Sequence, residues 1–156
     1  MPAPQLRQKL FRLARAAMKR AYAPYSHFRV GAAILLADGR CFTGCNVENA
    51  SYGLTICAER CAVFAAVTAS PRKPEILAVA VVNHRGAPCS PCGACRQVLA
   101  EFGPRATVWY LGADGLVVQR SMQELLVDGF TLCPNETKND IGPNPLSPTA
   151  KCDPLT

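Results

Sequence analysis

An α/β domain in three layers, with helices on both sides of one mixed five-stranded sheet, is the fold class that the order of elements predicts. Three observations carry it. Helical spacing of apolar residues alternates along the chain with apolar runs of strand length. Two of the strand pairs turn at an Asp-Gly dipeptide, the signal of a tight hairpin. One uninterrupted apolar run, EILAVAVVN at 75–83, has the character of a central strand buried on both faces. The 156 residues suffice for one domain with a sizeable core, and 49% hydrophobic against 18% charged residues excludes a disordered chain.

In order, QLRQKLFRLARAAMKRAYA places Leu6, Leu10, Leu13, Ala14, Ala17, Met18 and Ala21 on one stripe of a helix. This segment has two readings: a helix packed on the core with a solvated basic face, or an Arg-rich, acid-free mitochondrial presequence. Pro24 ends the pattern. VGAAILLADGRCFTG is then a hairpin about Asp38-Gly39, and CNVENASYGLTI is a polar, irregular loop of the kind that carries function. Residues 57–69 form an apolar helix closed off by Pro71 and Pro74. After the 75–83 strand, the loop HRGAPCSPCGAC leads into a short helix, RQVLAEF. ATVWYLGADGLVVQ is a second hairpin, and SMQELL a short helix with Ser121 as N-cap and Glu124 completing a capping box. From 134 to 156 the chain has five prolines and no aromatic residue, so the domain spans 1–133 and a Pro-rich tail follows.

The net charge of +6 is local. Arg7, Lys9, Arg12, Arg15, Lys19 and Arg20 lie in the first 20 residues without an acid, and the rest of the chain balances 11 basic against 11 acidic residues. A phosphate-tracking surface for nucleic acid is therefore not implied. No apolar run spans a membrane and no secretory signal is visible, so a cytoplasmic location is expected. Nine cysteines, an odd count without a secretion signal, read as metal ligands and buried thiols rather than disulfides. On the same ground the Asn135-Glu136-Thr137 sequon is expected to be a chance match.

Cys89, Cys92 and Cys95 form two overlapping C-x-x-C pairs, and Cys57 opens the 57–69 helix. Three ligand sets are open. Cys57, Cys92 and Cys95 would leave a fourth zinc position for water, as a catalytic site requires; addition of Cys61 or Cys89 would close a structural tetrahedron; or the thiols are merely buried. The open set is favoured, because thiols at the very start of a helix can point past its end to a metal. Cys61, one turn further in, would face the core, and Pro91 puts Cys89 on the extended approach to the helix. Three thiolates and Zn²⁺ sum to −1, so some donor must drain charge for the metal to act as a Lewis acid. Arg60 and Arg96 both stand close enough in sequence, with Arg60 the preferred candidate. Glu59 would lie beside a metal-activated water, where a carboxylate can take a proton and hand it to a leaving group.

The pattern C-A-E at 57–59 followed by P-C-G-A-C at 91–95 resembles the zinc deaminase signature, in which the Glu is not a ligand. With PYSHFRVGAA, GCNVENASYG, ICAER, SPCGACRQ and QELL, the chain from about residue 20 to 130 is similar to the small homotetrameric cytidine deaminases. The resemblance implies one zinc per subunit on Cys57, Cys92 and Cys95. It implies hydrolytic deamination of cytidine and 2′-deoxycytidine in pyrimidine salvage, with zinc-activated hydroxide attacking C4 and Glu59 shuttling the proton. Phe28 would pack on the pyrimidine, Asn46 and Glu48 would hold the ribose hydroxyls, and the backbone of Ala58 and Ser90 would read the base edge. Tyr52 and Phe130 would complete a neighbouring subunit's pocket. Arg29 stands where the family often has proline, and the tail has no counterpart. His27 is expected to be structural and His84 a solvated loop residue. The rival readings are a deaminase of a nucleoside antibiotic or polynucleotide, and a non-catalytic module with a structural zinc.

Overall fold

In a computed structural model, residues 3–132 are described. The Pro-rich tail, Cys133, Cys152 and the Asn135-Glu136-Thr137 sequon lie outside the described residues.

The chain runs α1 (Ala3–Met18), β1 (Val30–Leu36), β2 (Cys41–Cys45), a 3₁₀ turn (Tyr52–Leu54), α2 (Ala58–Thr68), β3 (Ile76–Asn83), α3 (Gly93–Phe102), β4 (Thr107–Leu111), β5 (Val117–Ser121) and α4 (Met122–Leu125). The five strands form one mixed sheet in the order β2-β1-β3-β4-β5, with β3 and β4 parallel and every other pair antiparallel. This is the fold class that the element order predicts. Both Asp-Gly pairs turn their hairpins, with Gly39 at φ 85° and Gly115 at φ 76°, where a side chain would strain the backbone. The capping box also forms: the Ser121 hydroxyl accepts from Glu124 N–H, and the Glu124 carboxylate accepts from Ser121 N–H at 2.7 Å.

The two-residue period of the strands sorts the core into two halves. Ala33, Ala78, Ala80 and Val82 face one way and meet Leu10, Phe11 and Ala14 of α1. Ala32, Ile34, Leu36, Val79 and Val81 face the other way, onto α2, α3 and α4. Small side chains on the first face let α1 lie close to the sheet; branched ones on the second fill a deeper layer. A bulge between Leu35 and Leu36 shifts the register, pairing Leu36 with Ile76 and leaving Leu77 exposed. Leu10 and Ala14 are fully buried, so residues 3–18 form a core-packing helix, the first of the two readings of that segment.

Two glycines set how close the layers come. A Cβ at Gly31 would stand 2.1 Å from the Ala14 carbonyl oxygen, and one at Gly44 would stand 2.4 Å from both Ala58 O and Ala62 N. The backbone of α2's first turn therefore rests directly on β2.

Candidate active site

α2 and α3 bring their N-termini together at one end of the sheet. Cys57 is the N-cap of α2 and Cys92 the N-cap of α3, both in extended conformation, while Cys95 lies buried in α3's first turn. The helix at RQVLAEF thus begins at Gly93, three residues before the expected Arg96, and that earlier start turns Cys95 into the same space as Cys92. The sulfurs of Cys57, Cys92 and Cys95 all lie within 4.8 Å of one another, with Cys57 and Cys92 Sγ 3.9 Å apart. Neither Cys61 nor Cys89 joins them among the described residues. Cys61 faces β2 near Gly44 and Cys45, and Cys89 packs on the core with its thiol 3.8 Å from the Val81 carbonyl oxygen.

The cluster favours negative charge. The Cys57 thiol is brought down to about 5, chiefly by a hydrogen bond from Cys95, against the cost of burial and with further help from Arg60 and Cys92. Cys95 is pushed up by that same bond and by burial, so the first negative charge resides on Cys57. Arg60 Nη2 lies 3.6 Å from Cys57 Sγ and 3.3 Å from the Thr55 carbonyl oxygen, while its Nε is buried without a partner among the described residues. An unpaired buried donor is costly unless an anion stands near it. Three thiolates around a divalent cation would be such an anion, so donor set and surroundings both suit zinc. Arg96, the other candidate, does different work: it donates to the carbonyls of Pro91 at 2.8 Å and Leu125 at 2.9 Å, pinning the loop before α3 to α4.

Glu59, in the first turn of α2, is 4% exposed. Burial pushes its carboxyl up to about 7, against a hydrogen bond from its own backbone N–H, and the charge of Cys57 adds to the rise. A carboxyl group, three thiols and a guanidinium thus share one partly enclosed corner.

The residues expected to contact substrate lie on several separate segments. Asn46 Nδ2 donates to the Phe28 carbonyl oxygen and its Oδ1 accepts from Val30 N–H, both at 2.8 Å. Glu48 accepts from Tyr25 N–H at 2.9 Å, from Ser26 N–H at 3.2 Å and from the Ser26 hydroxyl; the hydroxyl in particular holds its carboxyl below the usual range. Both side chains brace the loop that carries Phe28, a role their polar loop setting in the sequence did not reveal. The same strand segment pairs with the residue before Cys57, through Val47 and Ile56. His27 takes φ 51° and turns this loop, as a structural residue would. Ala58 is fully buried, Ser90 lies on the loop before α3, and Tyr52 and Phe130 project into solvent at 71% and 66% exposure.

The family model of the cytidine and deoxycytidylate deaminase zinc-binding region matches residues 4–111. The chain is 49% identical over 126 residues to a cytidine deaminase of Halalkalibacterium halodurans, covering 80% of this chain and 94% of that protein. It is 51% identical over 112 residues to one of Mycobacterium tuberculosis, covering 72% and 80%. A crystal structure of cytidine deaminase from Burkholderia pseudomallei superposes with a TM-score of 0.74 at 49% identity, over 83% of this chain and all of the other. With three clustered thiols, a buried glutamate and a matching fold already in place, the chain belongs to the zinc-binding cytidine deaminase family.

Proposed function

We propose that this enzyme hydrolyses cytidine and 2′-deoxycytidine to uridine and 2′-deoxyuridine, releasing ammonia, in pyrimidine salvage in the cytoplasm. The observation that carries the reading is the convergence of Cys57, Cys92 and Cys95 at two helix N-termini with the Glu59 carboxyl beside them. The three sulfurs would hold one zinc per chain and leave a position open. When bound there, zinc supplies the charge that makes a water nucleophilic near neutral pH. The remaining work falls to this chain's side chains. Glu59 accepts a proton from the attacking water and delivers it to the amino group leaving C4, so one carboxylate serves as base and then as acid. Arg60 and the two helix N-termini offset the excess negative charge of the thiolates.

The substrate contacts are part of the same proposal. Phe28 packs on the pyrimidine, and the backbone at Ala58 and Ser90 reads the base edge. Asn46 has one amide hydrogen beyond its bond to Phe28, and Glu48 has carboxylate lone pairs beyond those it uses, so both can meet ribose hydroxyls. Tyr52 and Phe130, too exposed to serve their own subunit's core, complete the pockets of neighbours in a homotetramer. A free nucleoside suits this site better than a polynucleotide, because the excess positive charge is confined to residues 1–20. No described helix is long and apolar enough to cross a membrane.

Glu59→Gln is the test. The variant is expected to keep one zinc per chain and to lose uridine formation by at least about 10²-fold, the lower range for general acid–base catalysis. Retention of most of the activity would end this assignment.

A further inference from the structure

Between β3 and α3 the chain makes a small turn that the proposed chemistry does not use. Asn83 Oδ1 accepts from Arg85 N–H at 3.0 Å and Ala87 N–H at 3.1 Å, and its Nδ2 donates to the Ala87 carbonyl oxygen at 2.6 Å. Gly86, at φ 64°, lets the turn close. This Asx-type turn fixes the direction of the two residues at its head, His84 and Arg85.

Both residues meet Phe28. The His84 ring stands edge-on to the Phe28 ring, with centroids 6.0 Å apart at 62°. The Arg85 guanidinium carbon lies over the Phe28 ring, 5.7 Å from its centroid. The two loops are also tied through the backbone: His84 N–H donates to the Arg29 carbonyl oxygen, and Arg29 N–H donates to His84 Nδ1, both at 3.1 Å. His84 is exposed, as its loop setting suggests, yet one ring nitrogen is committed to holding the segment that carries Phe28.

We infer that Arg85, oriented by the Asn83 turn and seconded by His84, is a positioning residue for Phe28 that tightens nucleoside binding. An aromatic ring has two faces. A guanidinium held over one face by the cation–π attraction leaves the ring a single face to offer and restricts its rotamers before substrate arrives. Preorganisation of this kind acts on binding and leaves the proton transfers at Glu59 untouched. The inference rests on Phe28 being the surface on which the pyrimidine packs.

The experiment is steady-state kinetics on cytidine with the zinc-loaded enzyme, comparing wild type, Arg85→Ala, Arg85→Lys, Phe28→Leu and the Phe28→Leu/Arg85→Ala double variant. Arg85→Ala is expected to raise KM about two- to fivefold, the range of an exposed cation–π contact, with kcat within about twofold. Arg85→Lys restores part of the loss, because a cation remains over the ring. In the Phe28→Leu background, Arg85→Ala has no further effect on KM, since the ring it positions is gone. Zinc content and melting temperature stay at wild-type values, because Arg85 is exposed. An unchanged KM in Arg85→Ala, or the same rise with and without Phe28, would overturn the inference while leaving Phe28's role intact. If Phe28→Leu itself leaves KM unchanged, Phe28 is not the packing surface, and both readings fall.

Discussion

α1 and α2 are seated on the sheet by the same device and lead to different ends. Each lays backbone against a strand glycine, Gly31 for α1 and Gly44 for α2, where an added Cβ would collide with helix backbone. On the α1 side the contact closes a layer of small residues, Ala33, Ala78 and Ala80, under a helix whose outer face is basic. On the α2 side it fixes the turn that carries Cys57, Glu59 and Arg60. Close packing is common to both faces. Chemistry arises only where the close-packed turn is a helix N-terminus with a second one, that of α3, beside it.

That difference can be broken experimentally. Gly31→Ala and Gly44→Ala should both destabilise the fold, by about 1–3 kcal/mol for forced overpacking. Their effects on the site should diverge. Gly44→Ala pushes the α2 turn away from β2 and is expected to cut kcat/KM per folded molecule by up to about 10²-fold, as small misplacements of catalytic groups do. Gly31→Ala should leave that quantity within about threefold. Thermal melts combined with activity normalised to the folded fraction make the comparison, and equal losses of normalised activity would erase the distinction between the two faces.

A smaller effect sharpens the boundary of the site itself. Cys61→Ala and Cys89→Ala each remove a partly buried thiol outside the cluster, so each is expected to cost about 1 kcal/mol or less and to leave zinc stoichiometry unchanged. Zinc analysis after gel filtration checks this. Loss of metal in either variant would bring that cysteine into the coordination sphere and close the position that water needs.

Much of this was legible in the residues. Asp38-Gly39 and Asp114-Gly115 announce their hairpins because few other dipeptides tolerate such turns, and the 75–83 run announces a strand covered on both faces. Cys57, Cys92 and Cys95 stand out because their positions at helix starts have chemical meaning even without coordinates. Less visible were features that depend on which segments become neighbours. A glycine within a strand can mark a bulge, a bend or a close approach, and only the arrival of α2 shows which applies to Gly44. Arg60 lies three residues from Cys57 and Arg96 directly follows Cys95, but the path of α4 draws Arg96 to the Leu125 carbonyl oxygen. Asn46 and Glu48 read as polar loop residues, and their bracing of Tyr25, Ser26 and Phe28 spans some twenty residues of chain. The pairing of Arg85 with Phe28 is longer in range still.

The central claim is an open three-sulfur zinc position beside Glu59, and X-ray absorption at the zinc edge of the metal-loaded enzyme tests it most directly. Three sulfur scatterers at about 2.3 Å with one oxygen or nitrogen at about 2.0 Å are expected. Four sulfurs, with no lighter ligand, would make the centre structural and contradict the account.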